Sequence, residues 1–127
     1  MGFRKKPALP STAGLGLESL RALKFDELAA SRYKAETSGV TVNGIRIRTD
    51  RESQALITGA ALQAVTDAEY ACHWKTENGF VELAADSILA AASAVRAHVQ
   101  ACFDREAELD RRVAAAQTRE ELLAIVW

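Results

Sequence analysis

The sequence predicts an α+β domain: a small antiparallel sheet from two Asn-Gly hairpins, each followed by a helix, with an N-terminal helix ahead and a long C-terminal helix behind. Three observations carry this expectation. Asn43-Gly44 and Asn78-Gly79 each separate two short runs suited to strands, a strong hairpin signal because such turns need positive φ. After each hairpin, apolar residues recur at helical spacing. From about position 84 to 117 that spacing continues without a proline or glycine, long enough for a helix of ~45 Å at the standard rise.

In chain order, residues 1–16 read as a flexible leader, because Pro7, Pro10, Gly14 and Gly16 with small polar neighbours offer little surface to bury. An arm that orders on a neighbouring subunit is the alternative for this stretch. Residues 17–127 read as one domain. Its first segment, 17–37, mixes Leu17, Leu20, Leu23 and Leu28 with charges in an imperfect apolar stripe. Gly39 is a plausible stop, and Arg32 and Lys34 suit the negative end of a helix dipole.

A two-residue loop at Asn43-Gly44 sets Val42 opposite Ile45, Thr41 opposite Arg46 and Val40 opposite Ile47. The four aliphatics then share one face, with Thr41 and Arg46 on the other. Thr49-Asp50-Arg51-Glu52 reads as a capping box with Thr49 as N-cap. The helix that follows carries Leu56, Ile57, Ala60, Ala61 and Val65 as its stripe and is expected to cover the hairpin. At Asn78-Gly79 the same logic sets Glu77 opposite Phe80, Lys75 opposite Glu82 and Trp74 opposite Leu83. Cys72, Trp74, Val81 and Leu83 share one face, and Phe80 falls on the charged one.

The long helix has a heptad-like seam of Ile88, Ala92, Val95, Val99, Cys102, Leu109 and Val113, interrupted by Glu106. Its far half would outrun a compact domain, so it is expected to meet a partner or fold back. Thr118-Arg119-Glu120-Glu121 is a second capping box, starting a short last helix with Leu122, Leu123 and Ile125.

Composition bounds the function. A chain of 127 residues with a formal net charge of −1 has no global basic field to draw nucleic acid or an anionic membrane. No apolar run approaches the ~20 residues that span a bilayer, and the stretch after Arg4-Lys5-Lys6, broken by prolines and glycines, does not read as a signal peptide. Cys72 and Cys102 read as reduced thiols rather than a disulfide.

Candidate chemistry is thin. His98, Cys102 and Glu106 lie on one side of the long helix, and with Cys72 and His73 they make a metal set on paper. Zinc ligands, however, come paired at short spacing, and Cys72 and His73 point to opposite faces of a strand. A Cys102–His98 nucleophilic pair needs exposure and a third orienting group, which a mid-helix apolar seam does not favour. No phosphate-binding glycine loop or hydrolase motif occurs. Arg46, Arg48 and Arg51 form a local basic cluster, read first as guarding an exposed strand edge. The residues expected at interfaces are Phe80, Leu109, Val113 and the terminal Trp127, since exposed apolar groups mark contact surfaces.

One family resemblance joins these pieces. Residues 39–44 (Gly-Val-Thr-Val-Asn-Gly), 49–57 (Thr-Asp-Arg-Glu-Ser-Gln-Ala-Leu-Ile), Trp74-Lys75 with 78–81 (Asn-Gly-Phe-Val), and 94–103 from Ala94 to Phe103 resemble a bacteriophage and prophage domain of unknown function. That domain is often encoded with tail-fibre and tail-fibre-assembly genes. The likeness spans position 32 to the C-terminus. It implies a non-enzymatic, tail-associated structural or assembly protein, with no catalytic residues, cofactor or metal. The implied partners are further copies of the chain, in a homo-oligomer sealed by the long helix, or a tail or tail-fibre protein. Its implied place is the virion tail, or the host bacterial cytoplasm during assembly. The alternatives are a small prophage regulator using the arginine cluster and an enzyme using Cys102 and His98.

Overall fold

The computed structural model describes residues 14–127; the leader expected at 1–16 lies mostly outside them. Helix α1 (Leu17–Glu36) leads into hairpin β1 (Val40–Val42) and β2 (Ile45–Ile47), then α2 (Arg51–Thr66). A second hairpin, β3 (Ala71–Thr76) and β4 (Gly79–Ala84), runs directly into α3 (Ala85–Ala115), and α4 (Arg119–Ala124) follows. The class is α+β as expected; whether the two hairpins join edge to edge is not decided by their sequence, and the strands form two separate two-stranded antiparallel ribbons.

The first ribbon has the register read from its turn, Val42 opposite Ile45 and Val40 opposite Ile47. Asn43 (φ 50°) and Gly44 (φ 79°) both take the left-handed region that the mirror-image turn requires. The second ribbon corrects the expected register. Lys75 pairs with Phe80, Trp74 with Val81, His73 with Glu82 and Cys72 with Leu83. Here Gly79 (φ 107°) takes positive φ and Asn78 does not, so Glu77-Asn78 form the loop and glycine closes it. Thr76 braces the turn: its hydroxyl donates to Gly79 O (2.7 Å) and accepts from Asn78 N–H (3.2 Å). The offset is two residues, so Cys72, Trp74, Val81 and Leu83 still share a face.

Helix α3, about 45 Å long at the standard rise, is the spine, with a core at each end. Its first half packs Ile88, Ala91, Val95 and Val99 with Ile47, Ile57, Ala64 and Leu83 from the ribbons and α2. Its second half packs Leu109 and Val113 with Leu20 and Leu28 of α1 and Leu122 of α4. The far half therefore meets the chain's own first and last helices. Arg21 of α1 closes the C-terminus of α3, donating to Val113 O and to Ala116 O (3.0 Å), as a cation at a helix C-terminus should.

The imperfect stripe of α1 now has a cause. Its buried positions are Leu20, Lys24, Leu28 and Glu36, so charges stand where a helix normally places aliphatics. Each has a partner: Lys24 Nζ donates to Ile125 O at 3.1 Å, and Glu36 is held by residues from α1 and α2. At the two capping boxes the outcomes differ. Thr118 accepts from Glu121 N–H (3.1 Å), while the Glu121 carboxylate accepts from Gln117 N–H (2.7 Å). Thr49, expected to cap α2, is instead fully buried and donates to Glu36 O (2.6 Å). Asp50 caps α2 in its place, accepting from Ser53 N–H.

Candidate interaction surface

An open, partly apolar feature among the described residues is the outer side of α2 with the groove beside it. Between positions 53 and 66 α2 carries no charged residue. Ile57 and Ala64 point into the core, with Ala60 and Ala61 packed against it. Leu56, Leu62 and Val65 are therefore turned outward, Leu62 to 68% and Val65 to 71% exposure. Leu56 and Val65 were expected in the buried stripe with Ile57, Ala60 and Ala61; those three do turn to the core, joined by Ala64, while Leu56 and Val65 do not. Gly59 is exposed near the middle of the helix, and a Cβ placed there would meet nothing within 4 Å.

Alongside α2 runs a groove of about 870 Å³, walled by Leu56, Gly59, Ala60 and Gln63 on one side and Tyr70, Cys72 and Trp74 on the other. Phe80 stands at its edge, 67% exposed, with the Lys75 ammonium 5.9 Å from its ring centre. Arg48, Asp50, Glu52 and Lys75 line the same groove, so its charges are of both signs and surround an apolar floor. Single exposed aliphatics are ordinary on a protein surface, but a contiguous apolar patch rimmed by charge marks a contact site.

A buried ionic cluster sets the position of α2. The Glu36 carboxylate accepts from Arg32 Nη1 (2.7 Å), Arg51 Nη2 (3.0 Å) and Gln54 Nε2 (2.9 Å). Arg32 also reaches Glu106 of α3 at 2.9 Å and lies over the Phe103 ring at 4.4 Å. One carboxylate thus ties the end of α1 to the start of α2, and through Arg32 to α3. Burial alone would raise the pKa of Glu36, but the donated hydrogen bonds of Arg51, Gln54 and Arg32 outweigh it and hold the group below its ordinary value.

The residues singled out from sequence are dispersed. Phe80 is exposed at the groove, as an interface residue must be. Leu109 and Val113 are not available as interface residues, because α1 and α4 bury them in the second core. Trp127 packs against the same core, with the Arg105 guanidinium 5.0 Å from its ring centre. Cys102 is buried; burial first, and the Glu36 charge second, raise its thiol pKa, the opposite of what a nucleophile needs. His98 Nε2 lies 2.9 Å from Ala35 O, which engages the ring in joining α3 to α1. Among the described residues no group of three or more His, Cys, Asp or Glu is placed to hold a metal ion, and no helix is long and apolar enough to cross a membrane. The arginine cluster also divides: Arg46 donates to Ser38 O and Arg51 is bound to Glu36, while Arg48 remains exposed. Leu56, Gly59 and Leu62 were not among the expected site residues. Their signal in the sequence is the fourteen-residue span without charge, with a glycine inside a helix.

Residues 19–126 match the model of a family described as Domain of unknown function (DUF4376). No curated protein and no solved structure matches the chain.

Proposed function

The chain belongs to this family of domains of unknown function, and from that premise we propose that it works without catalysis, as a bacteriophage or prophage-derived protein that helps build or forms part of a tail. It acts through protein–protein contacts, with further copies of itself or with a tail or tail-fibre protein. The observation that carries the contact reading is the outer side of α2, uncharged from 53 to 66, with Leu62 and Val65 exposed on it and Leu56 and Phe80 exposed at the open groove beside it. The tail association rests on the sequence resemblance of residues 39–44, 49–57, 74–75, 78–81 and 94–103. The competing enzyme reading loses support from geometry, since Cys102 is buried with a raised pKa and His98 is engaged by a backbone carbonyl.

The test is quantitative mass spectrometry of purified particles of the phage that encodes the chain, alongside electron microscopy of a deletion mutant. A structural component is present in washed particles at a fixed ratio to tail proteins. An assembly helper is absent from them, yet its deletion gives tailless or fibreless particles. Absence from particles together with normal tails in the deletion mutant would overturn the proposal.

A further inference from the structure

We infer that the groove beside β3 receives an extended segment of a partner protein, which pairs with the free edge of that strand. The segment carries apolar side chains at alternate positions and an acidic one between them. The inference rests on the contact reading above and adds the backbone geometry and the chemistry of the partner.

β3 has β4 on one edge and no strand on the other. Thr76 and Gly79 close a two-residue loop, so they exchange backbone hydrogen bonds, and the pairs alternate from there. Trp74 and Cys72 therefore turn their N–H and C=O toward β4, while His73 and Lys75 turn theirs away from it. Among the described residues no other segment's backbone takes up those outward groups. The groove runs along the same edge. Its lining takes Cys72, His73, Trp74 and Lys75 in succession, although neighbours on a strand point to opposite faces. A cavity over one face would touch every second residue; one that touches four in a row lies along the edge. An unpaired strand edge beside a cavity is a template for another extended chain, whose main chain supplies the missing partners.

The volume suits such a chain. At the spacings of paired strands and packed layers an extended residue fills roughly 160 Å³, so the 870 Å³ of the groove holds about five. That is close to the six residues of β3. The grooves at β2 and between the first ribbon and α3, about 230 Å³ and 40 Å³, are too small for it. The walls set the chemistry, because side chains of an added strand alternate between two faces as those of β3 do. Trp74 and Cys72 lie on the inner face, and Leu56, Gly59 and Ala60 of α2 stand across from them, so that side takes aliphatics. Gly59 leaves them room, since a Cβ there would meet nothing within 4 Å. On the outer face Lys75 rests against the Phe80 ring, while Glu82, the acid on the same face of β4, faces His73. An acidic side chain beside Lys75 gives it a cross-strand partner. The groove's own acids belong to the α2 wall, where Asp50 caps the helix and Glu52 sits in its first turn.

The probe is a surface-displayed library of random decapeptides, selected on the full chain, with the consensus peptide then synthesised. The consensus should alternate apolar and polar residues, with an acid on the polar side. Bound to the wild-type chain, it should slow amide exchange at His73 and Lys75, read by NMR, and leave the already paired Cys72 and Trp74 little changed. His73→Pro deletes an outward N–H without touching a β3–β4 hydrogen bond. The variant should therefore keep its circular dichroism spectrum and bind the peptide about tenfold or more weakly. Lys75→Glu leaves the backbone whole and should move the selected consensus from acidic to basic at the facing position. If His73→Pro unfolds, Lys75→Glu and the wild-type exchange pattern decide. A helical consensus, or binding that leaves residues 73 and 75 exchanging as before, overturns the added strand, and the contact reading is then decided by the particle measurement. Weaker apparent binding as the chain is concentrated gives the groove to a second copy and overturns the partner segment. A library from which nothing is enriched overturns the inference outright.

Discussion

Removing the Glu36 carboxylate should be among the most damaging single changes outside the aliphatic core. In Glu36→Ala the carboxylate that joins α1 to α2 is gone. Breaking a buried ion pair from one side typically costs ~3–5 kcal/mol, because the remaining charge is left without compensation. Here the stranded groups have partial relief. Arg32 keeps Glu106, Gln54 keeps its 2.8 Å bond to Thr49 O, and the Arg51 side chain is 56% exposed and rehydrates. The expected loss is therefore at the low end, about 3 kcal/mol, or a fall in Tm of about 12 °C for a domain of this size. Urea denaturation followed by circular dichroism measures it. The same cluster makes a pH prediction. Glu36 has a folded pKa below its ordinary 4.5, so its contribution is complete above that value and is lost as pH falls through the folded pKa. The gap between wild type and Glu36→Gln should accordingly be widest near neutrality and close in acid. A Glu36→Ala variant within about 1 kcal/mol of wild type, or a Glu36→Gln gap that does not change with pH, would refute the reasoning.

Other outcomes follow from single contacts. Asp110 has a buried carboxylate oxygen without a hydrogen-bond partner; burial first, and the Glu106 charge second, raise its pKa. A raised carboxyl favours the fold fully below its unfolded value and loses that contribution as pH rises through the folded one. Asp110→Asn should thus raise Tm at pH 7, an advantage that shrinks in acid. Gly39→Ala should destabilise by ~1–2 kcal/mol in denaturant titration, since Gly39 sits at φ 90° and an added Cβ would lie 2.8 Å from the Arg46 guanidinium. Thr118→Ala, which removes the cap of α4, should cost about 1 kcal/mol by the same assay. In a thiol-reactivity assay at neutral pH, the buried Cys102 should react at the rate of unfolding, and guanidinium should abolish that delay.

Local chemistry carried much of the fold. Asn43-Gly44 fixes its own register because the turn is settled within four residues, and the seam of α3 is legible because burial follows one helix face. What sequence missed is non-local. Thr49 has the right spacing for a cap, yet Glu36 O, thirteen residues away, captures its hydroxyl and leaves Asp50 to cap α2. The second Asn-Gly turn uses only its glycine at positive φ, and the Thr76 hydroxyl, which braces that turn, belongs to no two-residue turn rule. The stripe of α1 looked broken because Lys24 and Glu36 are buried with partners on distant segments. Leu109 and Val113 read as interface residues because spacing shows that a face is apolar but not what covers it; α1 and α4 do. For the surface itself, Phe80 was legible from its position on the charged face of a ribbon. Leu56 and Val65 were assigned to the buried stripe of α2 with Ile57, Ala60 and Ala61, because periodicity alone does not reveal that the buried side is narrower and runs through Ile57, Ala60, Ala61 and Ala64.

The measurement that bears most directly on the proposed contact face of α2 is hydrogen–deuterium exchange of the full chain at a low and a high concentration. Contact with further copies through α2 predicts slower exchange at the higher concentration in residues 51–66 and in the bordering strand 71–76, with α1 and α4 unchanged. Slowing confined to α1, α4 or the far half of α3, with α2 exchanging alike at both concentrations, would contradict it.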